Sequence, residues 1–234
     1  MMTPLINKTN RIPKKIHYCW FGPNPLPMTV QNCLKTWKKY NPDYNIIKWD
    51  ESNAPMEHPF VNSAYKSGKF AFVSDYVRLW AVYNFGGIYL DTDMYVTKSF
   101  EPLLLNKCFF GYEDKEQTLI SAGIIGAIKE DVFIKMLMDY YDDKIYTSSQ
   151  LSSFVIPKII TRLYNNNKTT NIKLYNYDFF YPFPFEDRTN NNFLDYITPN
   201  THAVHLWDMS WFSKKESVMR KIKGYITKIK KLIS

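Results

Sequence analysis

Cysteine is scarce in this chain: three residues, Cys19, Cys33 and Cys108, stand far apart in 234. An odd, scattered set builds neither a disulfide framework nor a cysteine-rich metal site, and reads as buried thiols of a reducing cytosol. Glycine is scarce too, at 8 residues, which excludes collagen-like and glycine-rich low-complexity chains. No apolar run reaches the ~18 residues of a membrane span. Residues 1–16 carry charges but no apolar stretch of a secretory leader. No helix-turn-helix, zinc-finger or RNA-recognition signature occurs, so no nucleic-acid partner is expected.

What is present suits a single globular domain. Hydrophobic residues make 45% and charged residues 22%, with aromatics high at 17%. The net charge of +8 has an address. Residues 214–234 hold eight lysines and arginines against Glu216 alone, and the other 213 residues carry only +1. In that segment Val218, Ile222, Tyr225, Ile226, Ile229 and Ile233 recur at helical spacing. The pattern predicts a basic amphipathic C-terminal helix appended to a domain over 1–213. Such a helix either lies on an anionic membrane surface or docks its apolar face on the body.

Strand patterns at 12–21, 44–49, 88–91, 108–112, 122–128 and 203–207 alternate with helical patterns at 29–40, 70–85, 130–141 and 150–165. Strands interleaved with helices predict an α/β domain with a mainly parallel sheet. Asn41-Pro42 stops the first helix and Gly86-Gly87 stops the second. The asparagine runs 165–167 and 190–192 read as loop tips. The aromatic segment 177–185, broken by Pro182 and Pro184, reads as irregular chain packed on the core. A carbohydrate acceptor platform is its alternative reading.

The sharpest chemical feature is Phe85-Gly86-Gly87-Ile88-Tyr89-Leu90-Asp91-Thr92-Asp93. A short apolar strand ends in two aspartates, and ligands of open α/β sheets bind at the carboxyl ends of strands. In extended chain, positions i and i+2 point to one side, so Asp91 and Asp93 are expected to converge. Paired carboxylates repel unless a cation stands near them, and hard oxygen ligands suit Mg²⁺ or Mn²⁺. On the preceding helix Asp75 and Arg78 share a face. Spacing alone makes them a surface ion pair.

The runs Ser74-Asp75-Tyr76-Val77-Arg78 and Tyr83-Asn84-Phe85-Gly86-Gly87-Ile88-Tyr89-Leu90-Asp91-Thr92-Asp93 resemble the DXD-containing sugar-transferase family. That family includes capsule and lipopolysaccharide transferases and yeast initiating mannosyltransferases, and is distantly similar to the glucosylating domain of large clostridial toxins. Looser matches are 12–22, Phe180-Tyr181-Pro182, His205-Leu206-Trp207 and Ser210-Trp211. The resemblance implies a GT-A fold, a nucleotide-binding α/β sheet. It implies Trp20 stacking on the base and Asp75 and Arg78 on the donor sugar. Asp91 would serve ribose and metal, Asp93 the metal directly, and His205 would be a further metal or diphosphate ligand. Ser210 and Trp211 would close over the diphosphate. Asp208-Met209 departs from the small residues expected before them, so Asp208 is itself a candidate ligand. Ser121-Ala122-Gly123 stands where relatives carry an asparagine.

The implied activity is metal-dependent transfer of a hexose from a nucleotide-diphosphate sugar, UDP-linked and with retention, to a glycan or lipid-linked glycan acceptor. The implied setting is cell-surface polysaccharide synthesis. The expected location is the cytoplasm, peripheral to the inner face of the membrane. A metal-dependent phosphohydrolase and a non-catalytic sugar-binding or membrane-associated protein are the alternatives. The first accounts for Asp91 and Asp93 but not for Asp75, Arg78 and Trp20.

Overall fold

The computed structural model describes residues 11–167, 171–189 and 192–208. The basic segment 214–234 and the residues Ser210 and Trp211 lie outside the described residues, as do Asn190 and Asn191.

The chain opens with β1 (Lys15–Cys19), α1 (Met28–Tyr40) and β2 (Asn45–Trp49). It continues through α2 (Pro59–Lys66), α3 (Phe70–Phe85), β3 (Gly87–Leu90) and β4 (Met94–Val96). Then follow β5 (Cys108–Gly111), β6 (Ile124–Ala127), α4 (Val132–Asp139), α5 (Ile156–Asn167), β7 (Ile172–Tyr175) and β8 (Ala203–His205). Six strands form one sheet in the order β2-β1-β3-β6-β5-β7, and β4 with β8 forms a small second sheet. The β1–β2, β1–β3 and β5–β7 pairings are parallel, and β6 runs antiparallel between β3 and β5. The sheet is thus mainly parallel, and β1, β3 and β5 all end at one edge.

Alternation along β3 divides the core. Tyr89 packs with α3, α4 and α5, alongside Val77, Leu137 and Ile160. Ile88 and Leu90 pack on the other face, with Trp37 of α1, Phe100 and Phe180. Both faces are covered, so the central strands β3, β5 and β6 are fully buried. Helix α3 is enclosed as well, and its buried positions include the charged pair Asp75 and Arg78.

Two glycines set the α3–β3 junction. Gly86 ends the helix at φ 58° and ψ 172°, a backbone conformation open essentially to glycine alone. Gly87 (φ 119°) lies so close to β1 that a Cβ there would stand 2.8 Å from the Lys15 carbonyl. That approach lets His17 Nε2 donate to the Gly86 carbonyl at 2.8 Å, while its Nδ1 accepts from Trp49 Nε1 at 3.2 Å. Held neutral in this way, the His17 ring is pushed down to about 4, mainly by burial.

Several boundaries differ from the sequence reading. Asn165–167 are the last residues of α5 rather than a loop tip. The helix anticipated over 150–165 begins only at Ile156, after a 3-10 segment at Ser148–Phe154. Pro157 has no N–H and fits only a first helical turn. The strand expected over 122–128 shortens to Ile124–Ala127. The segment from Tyr177 is irregular as expected, a 3-10 turn (Tyr177–Phe179) running into buried Phe180, Tyr181 and Phe183. All three cysteines are free and buried, and burial pushes Cys19 and Cys33 up to about 12, leaving them protonated.

Candidate active site

Asp91 follows β3, and its backbone N–H donates to the Gly123 carbonyl at 2.8 Å, tying the strand end to the entry of β6. Its Oδ1 accepts from Tyr89 Oη at 3.0 Å and faces Arg78 Nη1 at 3.2 Å. Arg78 reaches there from α3 and is only 6% exposed. Its Nη2 pairs with Asp75 Oδ1 at 2.9 Å, its Nη1 also donates to the Ala122 carbonyl at 2.8 Å, and its Nε donates to Ser74 O at 3.2 Å. Its Nε and Nη1 thus donate to backbone carbonyls, while Nη2 and Nη1 face the carboxylates of Asp75 and Asp91. The guanidinium also lies 4.7 Å from the Tyr89 ring centroid. Asp75 and Arg78 form a buried pair, not the surface pair that spacing suggested. Burial pushes the Asp75 carboxyl up while Arg78 opposes it. Asp91, Tyr89 and Asp75 keep Arg78 charged against its own burial.

The second aspartate leans the other way. Residues 91–93 form a turn, with Met94 N–H donating to Asp91 O at 3.0 Å, so the extended-chain argument for convergence does not hold locally. Convergence comes instead from β8. The register Met94↔His205 places the His205 ring beside the turn. Its Nε2 lies 3.1 Å from Asp93 Oδ1 and 4.0 Å from Asp91 Oδ2. Burial disfavours the imidazolium, but Asp93, Asp91 and Glu113 outweigh it and raise His205 above its ordinary value.

Past His205 the backbone at Trp207 is left-handed (φ 56°), a conformation rare for so bulky a residue. It turns the chain so that Asp208 N–H donates to Asp93 Oδ2 at 2.8 Å. Trp207 is anchored by its Nε1, which donates to Phe183 O at 2.8 Å, and packs edge-on against His205 at 4.0 Å. Burial and Asp93 both push the Asp208 carboxyl up, which sets a third acid beside the turn.

Trp20 follows β1, half-buried on the α1 face, with its Nε1 donating to Asn24 O at 2.7 Å. The register His17↔Tyr89, carried forward, sets Trp20 beside the Asp91–Asp93 turn on the adjacent strand. Trp20, Asp75, Arg78, Asp91, Asp93 and His205 thus gather at one sheet edge, from both faces.

Sequence reasoning missed Glu113, and it named Tyr181 within a looser match without giving it a role. Glu113 lies just past β5, accepts a hydrogen bond from Ser121 and interacts with His205 and Asp91; burial, the dominant influence, pushes its carboxyl up. It obeys the rule that singled out Asp91, an acid directly after a buried apolar strand. Tyr181 Oη accepts from Ile124 N–H at 3.0 Å and packs on His205 at 5.8 Å. A Cβ on Gly123 would stand 3.0 Å from that oxygen and 3.2 Å from Asp91 Oδ2, so only glycine leaves the site open there.

Asp91, Asp93 and His205 offer two carboxylates and an imidazole, a donor set that fits Mn²⁺ or Mg²⁺. Among the described residues no three such side chains stand at chelating distance as placed, because His205 pairs with Asp93 itself. The buried, unpartnered His205 Nδ1 leaves the ring without a second anchor. Its Nε2 side is therefore held by the carboxylates alone.

The six-stranded sheet, the enclosed α3 and the two acids at the end of β3 define a GT-A glycosyltransferase fold. Residues 27–110 match the family model of the glycosyltransferase sugar-binding region containing DXD motif. Inositol phosphoceramide mannosyltransferase 3 of Schizosaccharomyces pombe is 33% identical over 103 residues, 42% of this chain and 29% of that protein. Mannosyltransferase 1 of the same kind and organism is 28% identical over 110 residues, 42% of this chain and 33% of its own length. The matched part of the chain spans about a third of either relative. Among solved structures, PaToxG glycosyltransferase superposes with a TM-score of 0.55 at 20% identity, covering 69% of this chain and 72% of that one. The apo form of glycosyltransferase GlyE from Streptococcus pneumoniae TIGR4 gives 0.50 at 13% identity, covering 86% and 55%. These two likenesses bear on the fold.

Proposed function

We propose that the chain is a glycosyltransferase that moves a hexose from a nucleotide-diphosphate sugar, UDP-linked, to a glycan or lipid-linked glycan acceptor with retention, in cell-surface polysaccharide synthesis of the capsule or lipopolysaccharide kind. The observation that carries this reading is the approach of Asp91 Oδ2 and Asp93 Oδ1 to one atom, His205 Nε2, at the edge where β1 and β3 end.

Trp20 stacks on the base. Asp75 accepts from hydroxyls of the donor sugar. Arg78 acts through the acids, holding Asp75 and Asp91 against each other while Ser74 O and Ala122 O fix its guanidinium. A divalent ion, Mn²⁺ or Mg²⁺, held by Asp91, Asp93 and His205 would supply the positive charge that offsets the diphosphate as it leaves. Without positive charge at that place, the two aspartates would repel the diphosphate. Ser210 and Trp211 come two and three residues after Asp208 and are proposed to close over the phosphates. The leaving diphosphate takes the acceptor proton, so a front-face course needs no protein nucleophile. The basic segment 214–234 is proposed to hold the enzyme on an anionic membrane surface, at the inner face of the cell membrane.

The test is a panel of nucleotide sugars incubated with and without Mn²⁺, reading released nucleoside diphosphate. Two relatives are inositol phosphoceramide mannosyltransferases by name, so a mannosyl donor and an inositol-phosphate lipid belong in the panel. Metal-dependent release supports transfer. Release of inorganic phosphate would instead mark a phosphohydrolase.

A further inference from the structure

The strand order gives the site a direction. β3 is parallel to β1, β6 is antiparallel to β3, and β5 is antiparallel to β6. Along one edge, in spatial order, come Trp20 after β1, Asp91 after β3, Ser121 to Gly123 ahead of β6, and Glu113 after β5. Neighbouring strands lie about 4.8 Å apart, so Glu113 stands about 10 Å from Asp91, on the side away from Trp20. A nucleotide sugar lying along this edge, base at Trp20 and diphosphate at Asp91, carries its sugar over β6 toward β5.

Glu113 is built into that place. Its N–H donates to Leu119 O at 2.9 Å, and Ser121 N–H donates to Gly111 O at 2.9 Å, which fixes the two residues side by side. Ser121 is 4% exposed and hydrogen-bonds the Glu113 carboxylate. His205 acts favourably on that carboxylate, while Asp114 and Asp91 act against its charge. A part-buried carboxylate with other acids acting on it is costly to keep ionised unless positive charge arrives there. Bonding Ser121 does not require the charge, since a glutamine amide accepts the same hydrogen bond.

We propose that Glu113 is a catalytic residue, the carboxylate that faces the positive charge developing on the transferred sugar. The inference rests on the transferase reading. Glu113 forms no covalent bond. The bond between the anomeric carbon and the diphosphate oxygen breaks, and its electron pair leaves with the diphosphate. The acceptor oxygen bonds the same carbon and its proton passes to the diphosphate. Between breaking and making, the anomeric carbon and ring oxygen carry positive charge, and an ionised group fixed beside them lowers the barrier without reorganising.

The test compares Glu113→Gln and Glu113→Asp with the wild type, on the nucleotide sugar that the wild type turns over fastest with Mn²⁺. Glu113→Gln keeps shape and the Ser121 bond and removes the charge. Its kcat is expected to fall about 100-fold, with donor KM, Mn²⁺ affinity and melting temperature unchanged. Glu113→Asp, which keeps the charge, is expected to retain more of the rate than Glu113→Gln. A Glu113→Gln enzyme within about threefold of wild-type kcat overturns the proposal. So does a loss confined to KM or to Mn²⁺ affinity, which would make Glu113 a binding group. A wild type that releases nucleoside diphosphate from no donor brings down the transferase reading, and Glu113's role with it.

Discussion

His205 Nε2 lies 3.1 Å from Asp93 Oδ1, joining the turn after β3 to the end of β8. The contact exists because the small β4–β8 sheet sets His205 opposite Met94, the residue after Asp93. The same late segment returns through Trp207 and donates Asp208 N–H to the other oxygen of Asp93. Both oxygens of the second aspartate are thus oriented by chain far away in sequence.

Arg78→Lys is expected to cripple turnover. The guanidinium serves Asp75, Asp91, Ala122 O and Ser74 O at once, and an ammonium reaches no more than part of that set. The two acids then lose their fixed spacing, and misplacement near 1 Å costs about 100-fold in rate. Steady-state kinetics on the preferred donor check this, and near-normal turnover would count against the role given to Arg78.

Acid is expected to weaken the fold through His17. The folded ring titrates near 4 and the unfolded ring near 6.5, so between those values the unfolded chain binds the extra proton. Stability is therefore full above about pH 6.5 and falls as pH drops toward 4, by about 3 kcal/mol for this group at the end of the window. Urea midpoints measured across pH 4–7.5 should fall with acid in wild type and fall less in His17→Gln. Equal slopes in the two proteins would rule the histidine out as the cause.

Gly126→Ala is expected to destabilise the sheet without touching the site. Gly126 pairs with Phe109 across β6 and β5, and a Cβ there would lie 2.0 Å from the Phe109 ring. Overpacking of this kind costs about 1–3 kcal/mol. Thermal melts of the variant measure it, and an unchanged midpoint would show that the ring moves aside freely.

Removal of 214–234 is expected to reduce binding to anionic vesicles and to leave binding to neutral vesicles unchanged. Each lysine or arginine near such a surface contributes about 1 kcal/mol, screened by salt. Co-sedimentation of both forms at low and high salt reads this. Equal binding of both forms to anionic vesicles would mean that the segment is no membrane anchor.

Much of the α/β frame was legible in the sequence, since its helices and strands are set by local periodicity. The bounds of α3, Phe70–Phe85, follow from an apolar run closed by Gly86. What escaped was set by tertiary contact. Strand β4 has three residues and exists because β8 pairs with it. Strand β7 reads weakly because it is an edge strand, partly exposed along its length. Of the site, Asp91 and Asp93 were visible as acids after a buried strand, but for a reason the turn at 91–93 replaces. The burial of Asp75 with Arg78 was invisible, because i, i+3 spacing says nothing of what covers a helix face. Glu113 obeyed the same strand-end rule as Asp91 but has Lys115, not an acid, at the i+2 position that marked the Asp91–Asp93 pair.

In the proposed transferase the Asp91–Asp93 turn holds a divalent cation through which the chain binds a nucleoside diphosphate. Calorimetric titration of UDP and GDP into wild type and Asp93→Ala, each with and without Mn²⁺, tests it most directly. The account predicts binding that requires Mn²⁺ and is weakened at least ~100-fold in Asp93→Ala, since loss of a mere supporting contact already costs 10–100-fold in metal affinity. Binding that is equally tight without the metal, or undiminished in Asp93→Ala, would contradict it.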